Sequence, residues 1–283
     1  MPLTGRSSNV TRLGIMQGRL VPPEPERFQA FPRTRWEDEL SLAREVPLSY
    51  IEWVYDLYGA DVNPLTGDIA RMKSCIRETG ISVSSMCADY FMDRPFVRCS
   101  EADLTERRQF LQRLLHLGKQ VGIQRVVLPF VDASRIDSEG DKTVVIEILQ
   151  DALPTARETG VELHLETDLG PAEFAGLLDR LPDSSVKVNY DSGNSASLGF
   201  VAQEEFAAYG ERVGSVHIKD RARGGGTVAL GTGDADFPAI FAALERIHYP
   251  GDITLQVARS VAGNEVAWAR ANRRFVERYW SLA

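Results

Sequence analysis

The sequence predicts one closed (β/α)8 barrel. Three observations carry that prediction: eight short apolar runs rich in β-branched residues, segments of helical period between them, and a regular spacing. The runs begin near Leu13, Ile51, Val83, Val126, Glu162, Lys187, Gly214 and Ile253. Their starts lie about 34 residues apart, the length of a strand plus the helical crossover that a parallel neighbour requires. Eight such units close on themselves into a barrel whose interior is filled by alternate side chains.

Taken in order, the first strand, LGIMQG, runs into GRLVPPEPERFQAFP. A dinucleotide-binding open sheet would need a glycine fingerprint opening a helix at that point, and the prolines exclude it. Helices are expected at 36–46 and 68–79, the second stopping at Gly80, a residue suited to a left-handed cap. The longest, 104–121, carries Leu111, Leu114, Leu115 and Gly118 on one face before Gly122. Further helices are expected at 143–159, at 171–180 with Pro171 in its first turn, at 237–248 and at 265–280. Residues 1–12 read as a frayed polar tail and 13–283 as a single catalytic domain, since no Ser/Gly linker or charge run divides the chain. The glycines between Arg221 and Gly233 suit close approach to a ligand or movement as a lid.

The 283 residues are 43% apolar and 25% charged, enough for a substantial core. The net charge of −8 lacks the basic excess that nucleic acid or an anionic membrane would attract, so neither is expected as a partner. Cys75, Cys87 and Cys99 form no CxxC pair, which fits reduced thiols and a cytoplasmic protein, and no apolar stretch follows the amino terminus as a signal peptide or membrane span would require.

Parity in the last four strands locates the chemistry. Side chains alternate between faces. In the fifth strand Leu163 and Leu165 oppose Glu162, His164 and Glu166; in the sixth Val186, Val188 and Tyr190 oppose Lys187, Asn189 and Asp191. Val216 and Ile218 oppose Ser215, His217 and Lys219 in the seventh, and in the eighth Ile253, Leu255 and Val257 oppose Thr254, Gln256 and Ala258. The apolar face packs on helices, so the polar face lines the bore. Burying so many ionisable groups is costly unless they pair or hold a metal. Glu166, Asp191, His217 and Gln256 each fall near the carboxyl end of their strand, where barrel active sites lie. Two carboxylates, an imidazole and an amide oxygen make a hard, oxygen-rich set that suits Mn²⁺ or Mg²⁺, with Co²⁺ and Zn²⁺ as further candidates.

The motifs HLET at 164–167, NYDSGN at 189–194, HIKD at 217–220 followed by GTGDADF at 231–237, and TLQVAR at 254–259 resemble those of the xylose isomerase-like TIM-barrel superfamily of sugar and sugar-phosphate isomerases and epimerases. The resemblance runs from LGIMQGRL to the last helix. It implies a divalent metal on strands five to eight, with Glu166 as ligand and base, Asp191 and His217 as ligands, and a carboxylate on the eighth strand that shares proton transfer. That last position departs from the pattern. Gln256 can offer a metal its amide oxygen but has no proton to exchange near neutral pH. A single base, Glu166, still suffices for aldose–ketose isomerisation beside a metal-polarised carbonyl. Expulsion of a β-hydroxyl from the same enediolate would make a keto-polyol dehydratase, and loss of the second carboxylate also leaves a non-catalytic sugar-binding barrel to be considered. The superfamily's apurinic-site endonuclease branch fits less well, because Asn194 stands where that branch has a histidine and too few ligands remain for three zincs.

Around this core, His164 and Asn189 are expected to support the ligands from behind. Lys219 and Arg259 lie above the metal plane, where they could hold a phosphate or carboxylate. Glu52 is read as a pocket residue, with burial against a basic group such as Lys219 or Lys187 as the alternative. Asp89 and Asn194 are expected to meet substrate, and Gln17, Arg19 and Tyr90 to face the same mouth. Trp36, Trp53, Phe91 and Phe96 are pocket walls or packing residues. The expected ligand is a small sugar or polyol, and the sequence leaves a homo-oligomer open.

Overall fold

The computed structural model describes residues 11–282. Eight parallel strands close into a barrel: β1 (Leu13–Met16), β2 (Tyr50–Val54), β3 (Ser82–Cys87), β4 (Arg125–Phe130), β5 (Glu162–Thr167), β6 (Val186–Asp191), β7 (Val213–Ile218) and, after a small antiparallel hairpin of β8 (Asp220–Arg221) and β9 (Thr227–Val228), β10 (Ile253–Leu255). Their order around the barrel is β1-β10-β7-β6-β5-β4-β3-β2, all parallel, as the spacing predicts. Helices at 36–45, 69–79, 101–121, 139–159, 171–179, 237–246 and 265–277 cover the outside.

The core follows from side-chain parity. Leu163, Leu165, Val186, Val188, Val216, Ile218, Ile253 and Leu255 are almost wholly buried between the barrel and its helices. The bore is closed at its amino-terminal end by Tyr50, whose hydroxyl shares a 2.7 Å hydrogen bond with Thr254. Gly14 makes that plug fit: a Cβ there would sit 2.4 Å from the Tyr50 ring. Arg125 lies over the same ring and donates to Asp252 at 3.0 Å. Tyr50, Thr254, Arg125 and Asp252 thus satisfy one another at the bottom of the bore.

Residues 1–10 of the expected tail lie outside the described residues. Thr11 and Arg12, assigned to that tail, are held instead. Thr11 bridges Leu282 and accepts from the Trp280 indole, and Arg12 donates to both Asp252 oxygens at 3.0 and 2.6 Å. Three short helices, at 90–93, 192–198 and 202–209, were not expected from the apolar period. They are brief, and the one at 192–198 is set by its cap: Asp191 Oδ1 accepts from the backbone N–H groups of Gly193 and Asn194, each at 2.8 Å.

Candidate metal and sugar site

The carboxyl ends of the strands open onto a cavity of about 450 Å³. It is lined by Glu166, Asn194, Lys219 and Gln256, by Asp89, Gln29 and Phe28, and by Asp132, Asp168, Arg221 and Thr227. Parity carries the key side chains there. Asp191 is paired in register with His217, whereas His217 pairs with Thr254, so Gln256 comes two residues further along its strand.

Glu166, Asp191 and His217 converge as the sequence predicts: one ligand atom from each lies within 4.8 Å of the others, and all three residues are buried. Each Glu166 oxygen accepts one amide N–H. Asn194 Nδ2 donates to Oε1 at 2.6 Å and Asn189 Nδ2 to Oε2 at 2.7 Å. Asp191 spends Oδ1 on its helix cap and turns Oδ2 toward the His217 ring, 4.0 Å from Nδ1. His217 Nδ1 is also 3.3 Å from Glu166 Oε2, yet it makes no hydrogen bond and is fully buried. A buried ring nitrogen with no hydrogen-bond partner, aimed at oxygens of two carboxylates, fits a divalent cation shared by all three residues.

Glu52 is not a pocket residue. It is wholly buried beneath the site, Oε1 2.7 Å from His217 Nε2 and Oε2 accepting from Ser85 Oγ at 2.6 Å. A carboxylate behind the ring fixes its orientation and leaves Nδ1 to face Glu166 and Asp191, the usual support for a metal-binding histidine. Burial alone would lower the His217 pKa, but Glu52 and then Glu166 outweigh it and raise it to about 10. Despite its own burial, Glu52 is held below the usual carboxylate range by the same ring. The sequence signal was an acidic residue inside an apolar strand; the partner named for it there was a lysine, because strand parity does not reveal that β2 and β7 meet across the bore.

His164 lies deeper, as expected for a supporting residue. Its Nδ1 meets Ser215 Oγ at 2.7 Å, Ser215 donates to Asn189 Oδ1 at 2.6 Å, and Asn189 holds Glu166. Lys219 reaches the cavity, but its ammonium is engaged with Asp191 Oδ2 at 3.3 Å, Asn194 Oδ1 at 3.2 Å and Gln256 Oε1 at 3.4 Å. Gln256 lines the cavity, and its amide oxygen accepts from the same ammonium. Arg259 is turned away from the cavity. Its guanidinium donates to the carbonyls of Gly18, Val21 and Phe28 and fastens the long β1 loop.

Gln17 is buried and accepts from Val54 N at 3.0 Å, and Arg19 donates to Val257 O and to Gln29 Oε1, both at 2.9 Å. Trp53 packs against Phe31 and Trp36, and Phe91 stacks on Phe96, so these aromatics serve packing. The aromatic on the cavity wall is Phe28, from the loop that sequence reading left without a role. Gln29 was also missed. It donates to Asp89 Oδ2 at 2.6 Å, while Cys87 Sγ donates to Asp89 Oδ1 at 3.0 Å. Burial, tempered by those two donors, raises the Asp89 pKa to about 6. The glycine loop after β8 is pinned rather than loose, since Asp220 accepts from the amides of Gly231, Gly233 and Ala235.

The chain is 24% identical over 248 residues to L-ribulose-5-phosphate 3-epimerase UlaE of Salmonella heidelberg (strain SL476), covering 83% of this chain and 87% of that one. It is 23% identical over 255 residues to inosose dehydratase of Clostridium perfringens (strain 13 / Type A), covering 79% and 86%. Among solved structures, a xylose isomerase-like TIM barrel protein of Mycobacterium smegmatis in complex with magnesium superposes with a TM-score of 0.71 at 18% identity, over 95% of this chain and 96% of that one. Among the described residues no helix is long and apolar enough to cross a membrane. The chain belongs to the xylose isomerase-like TIM barrel family, whose model matches residues 40–279.

Proposed function

We propose that this protein is a metal-dependent isomerase or epimerase of a small ketose or ketose phosphate. The observation that carries the reading is the buried convergence of Glu166, Asp191 and His217 on one point, with Glu166 also lining the polar cavity. A divalent ion held there supplies Lewis-acid polarisation of a substrate carbonyl and stabilises the enediolate. Glu166 is then placed to take the proton from the carbon beside that carbonyl, with Asn189 and Asn194 fixing its carboxylate plane. Glu52 keeps the His217 ring aimed at Glu166 and Asp191, and Asn194, Lys219 and Arg221 of the cavity lining offer polar groups for hydroxyls.

Likeness to an inosose dehydratase favours a second reading at the same site, in which the enediolate expels a β-hydroxyl. The probes are L-ribulose, L-ribulose 5-phosphate and an inosose. Purified protein loaded with Mn²⁺ or Mg²⁺ and incubated with each in D2O should place deuterium at the carbon beside the carbonyl. A product of unchanged heavy-atom composition marks isomerisation or epimerisation; loss of one water marks dehydration. Glu166→Gln should abolish exchange by at least a hundredfold, and His217→Ala should lose bound metal. Metal content unchanged in both His217→Ala and Glu166→Gln would sink the site assignment.

A further inference from the structure

Inversion at one carbon needs a proton removed from one face and another delivered to the opposite face, hence two groups on different walls of the cavity. Glu166 is one. Gln256 cannot be the other, since its amide neither takes nor gives a proton near neutral pH. Of the other carboxylates that line the cavity, Asp89, Asp132 and Asp168, the first lies at the end of β3, two strands from β5 with β4 between them. It is linked to the Gln256 position by one residue: Gln256 Nε2 donates to Gln29 Oε1 at 3.3 Å, and Gln29 Nε2 donates to Asp89 Oδ2 at 2.6 Å. The direction of that link is fixed, because Arg19 also donates to Gln29 Oε1, which leaves the Gln29 amide nitrogen to face Asp89. With Cys87 on Oδ1, each Asp89 oxygen has one donor and retains a lone pair toward the cavity.

We propose that Asp89 is the second proton-transferring carboxylate of this site, displaced to the end of β3 from the β10 position that Gln256 occupies. The assignment rests on the proton-abstraction reading above. In the forward step Glu166 accepts the proton as the C–H bond breaks, and the electron pair enters the enediolate. Asp89, as the carboxylic acid, gives its proton to the opposite face of the same carbon; the new C–H bond forms as the carbonyl is restored. Glu166 ends protonated and Asp89 ionised, and exchange with water resets both. No redox partner is required.

The test follows two signals in D2O on whichever ketose probe exchanges: deuterium entering the substrate, and accumulation of the epimer. Asp89→Asn should lower epimer formation by at least a hundredfold while deuterium entry through Glu166 stays within about tenfold of wild type. Adding Gln256→Glu to Asp89→Asn should restore epimer formation by returning a carboxylate to β10. Equal loss of both signals in Asp89→Asn, at a melting temperature no lower than that of wild type, would reduce Asp89 to a structural residue, and epimer formation unaffected by Asp89→Asn would overturn the assignment outright. Failure of the underlying reading looks different: wild type shows no exchange on any probe, or Glu166→Gln retains it.

Discussion

Asp89 carries a cost that its surroundings do not offset. Burial raises its pKa to about 6 from 3.8, against the pull of two hydrogen-bond donors. The folded state therefore binds the proton more tightly than the unfolded chain. The stabilisation this gives is full below pH 3.8 and is lost as pH rises through 6, so at neutral pH the ionised group opposes folding by about 2 kcal/mol, allowing for its partial exposure. An asparagine keeps an acceptor for Gln29 and has no charge to desolvate. Asp89→Asn should accordingly be more stable than wild type at pH 7–8, with the difference vanishing below pH 4; chemical denaturation across that range would check it. A residue whose removal strengthens the fold while costing turnover is one retained for function.

At the scale of the element, what matters is how the stretch after β6 meets the stretch after β7. Gly193 opens the short helix at 192–198, and a Cβ there would lie 2.6 Å from Lys219 Cγ and 3.0 Å from its Cβ. Those atoms are near the root of the side chain and cannot step aside cheaply. Gly193→Ala should therefore push the ammonium off Asp191 Oδ2 and Gln256 Oε1. With a positive charge withdrawn from a ligand oxygen, Mn²⁺ should bind several-fold more tightly, as titration calorimetry on metal-stripped protein would measure. Weaker binding would mean that Lys219 does not compete with the cation. Asp220, next to Lys219, holds residues 231–235 through three backbone amides.

Across the whole molecule, strand number, closure and the bore-facing ligands were legible because period-2 alternation survives in any buried strand with one apolar and one polar face. Glu166, Asp191 and His217 needed nothing more. Residues whose roles depend on contacts across the bore were not legible. Glu52 meets His217 from a strand far away in sequence, and Arg259 is drawn to carbonyls of a loop whose path no periodicity encodes. Gln29 and Phe28 lie in that same Pro-rich loop, where neither helical nor strand period applies, so their arrival at the cavity is a tertiary fact. The hairpin of β8 and β9 is two residues on each side, too short to leave a pattern.

Asp191 divides its two oxygens between the helix at 192–198 and the point shared with Glu166 and His217, and Asn194 of that helix reaches back to Glu166. On the proposed metal-dependent reading, occupancy of that point by an ion and order of the first helical turn are linked equilibria. The amide protons of Gly193 and Asn194, each held by Asp191 Oδ1, become spectators that record the state of the ion site. Their exchange with solvent should slow on adding Mg²⁺ and quicken on chelation, while amides of the outer helix at 101–121 keep one rate. Measured residue by residue, that contrast would give metal affinity without a substrate and without an assay of turnover.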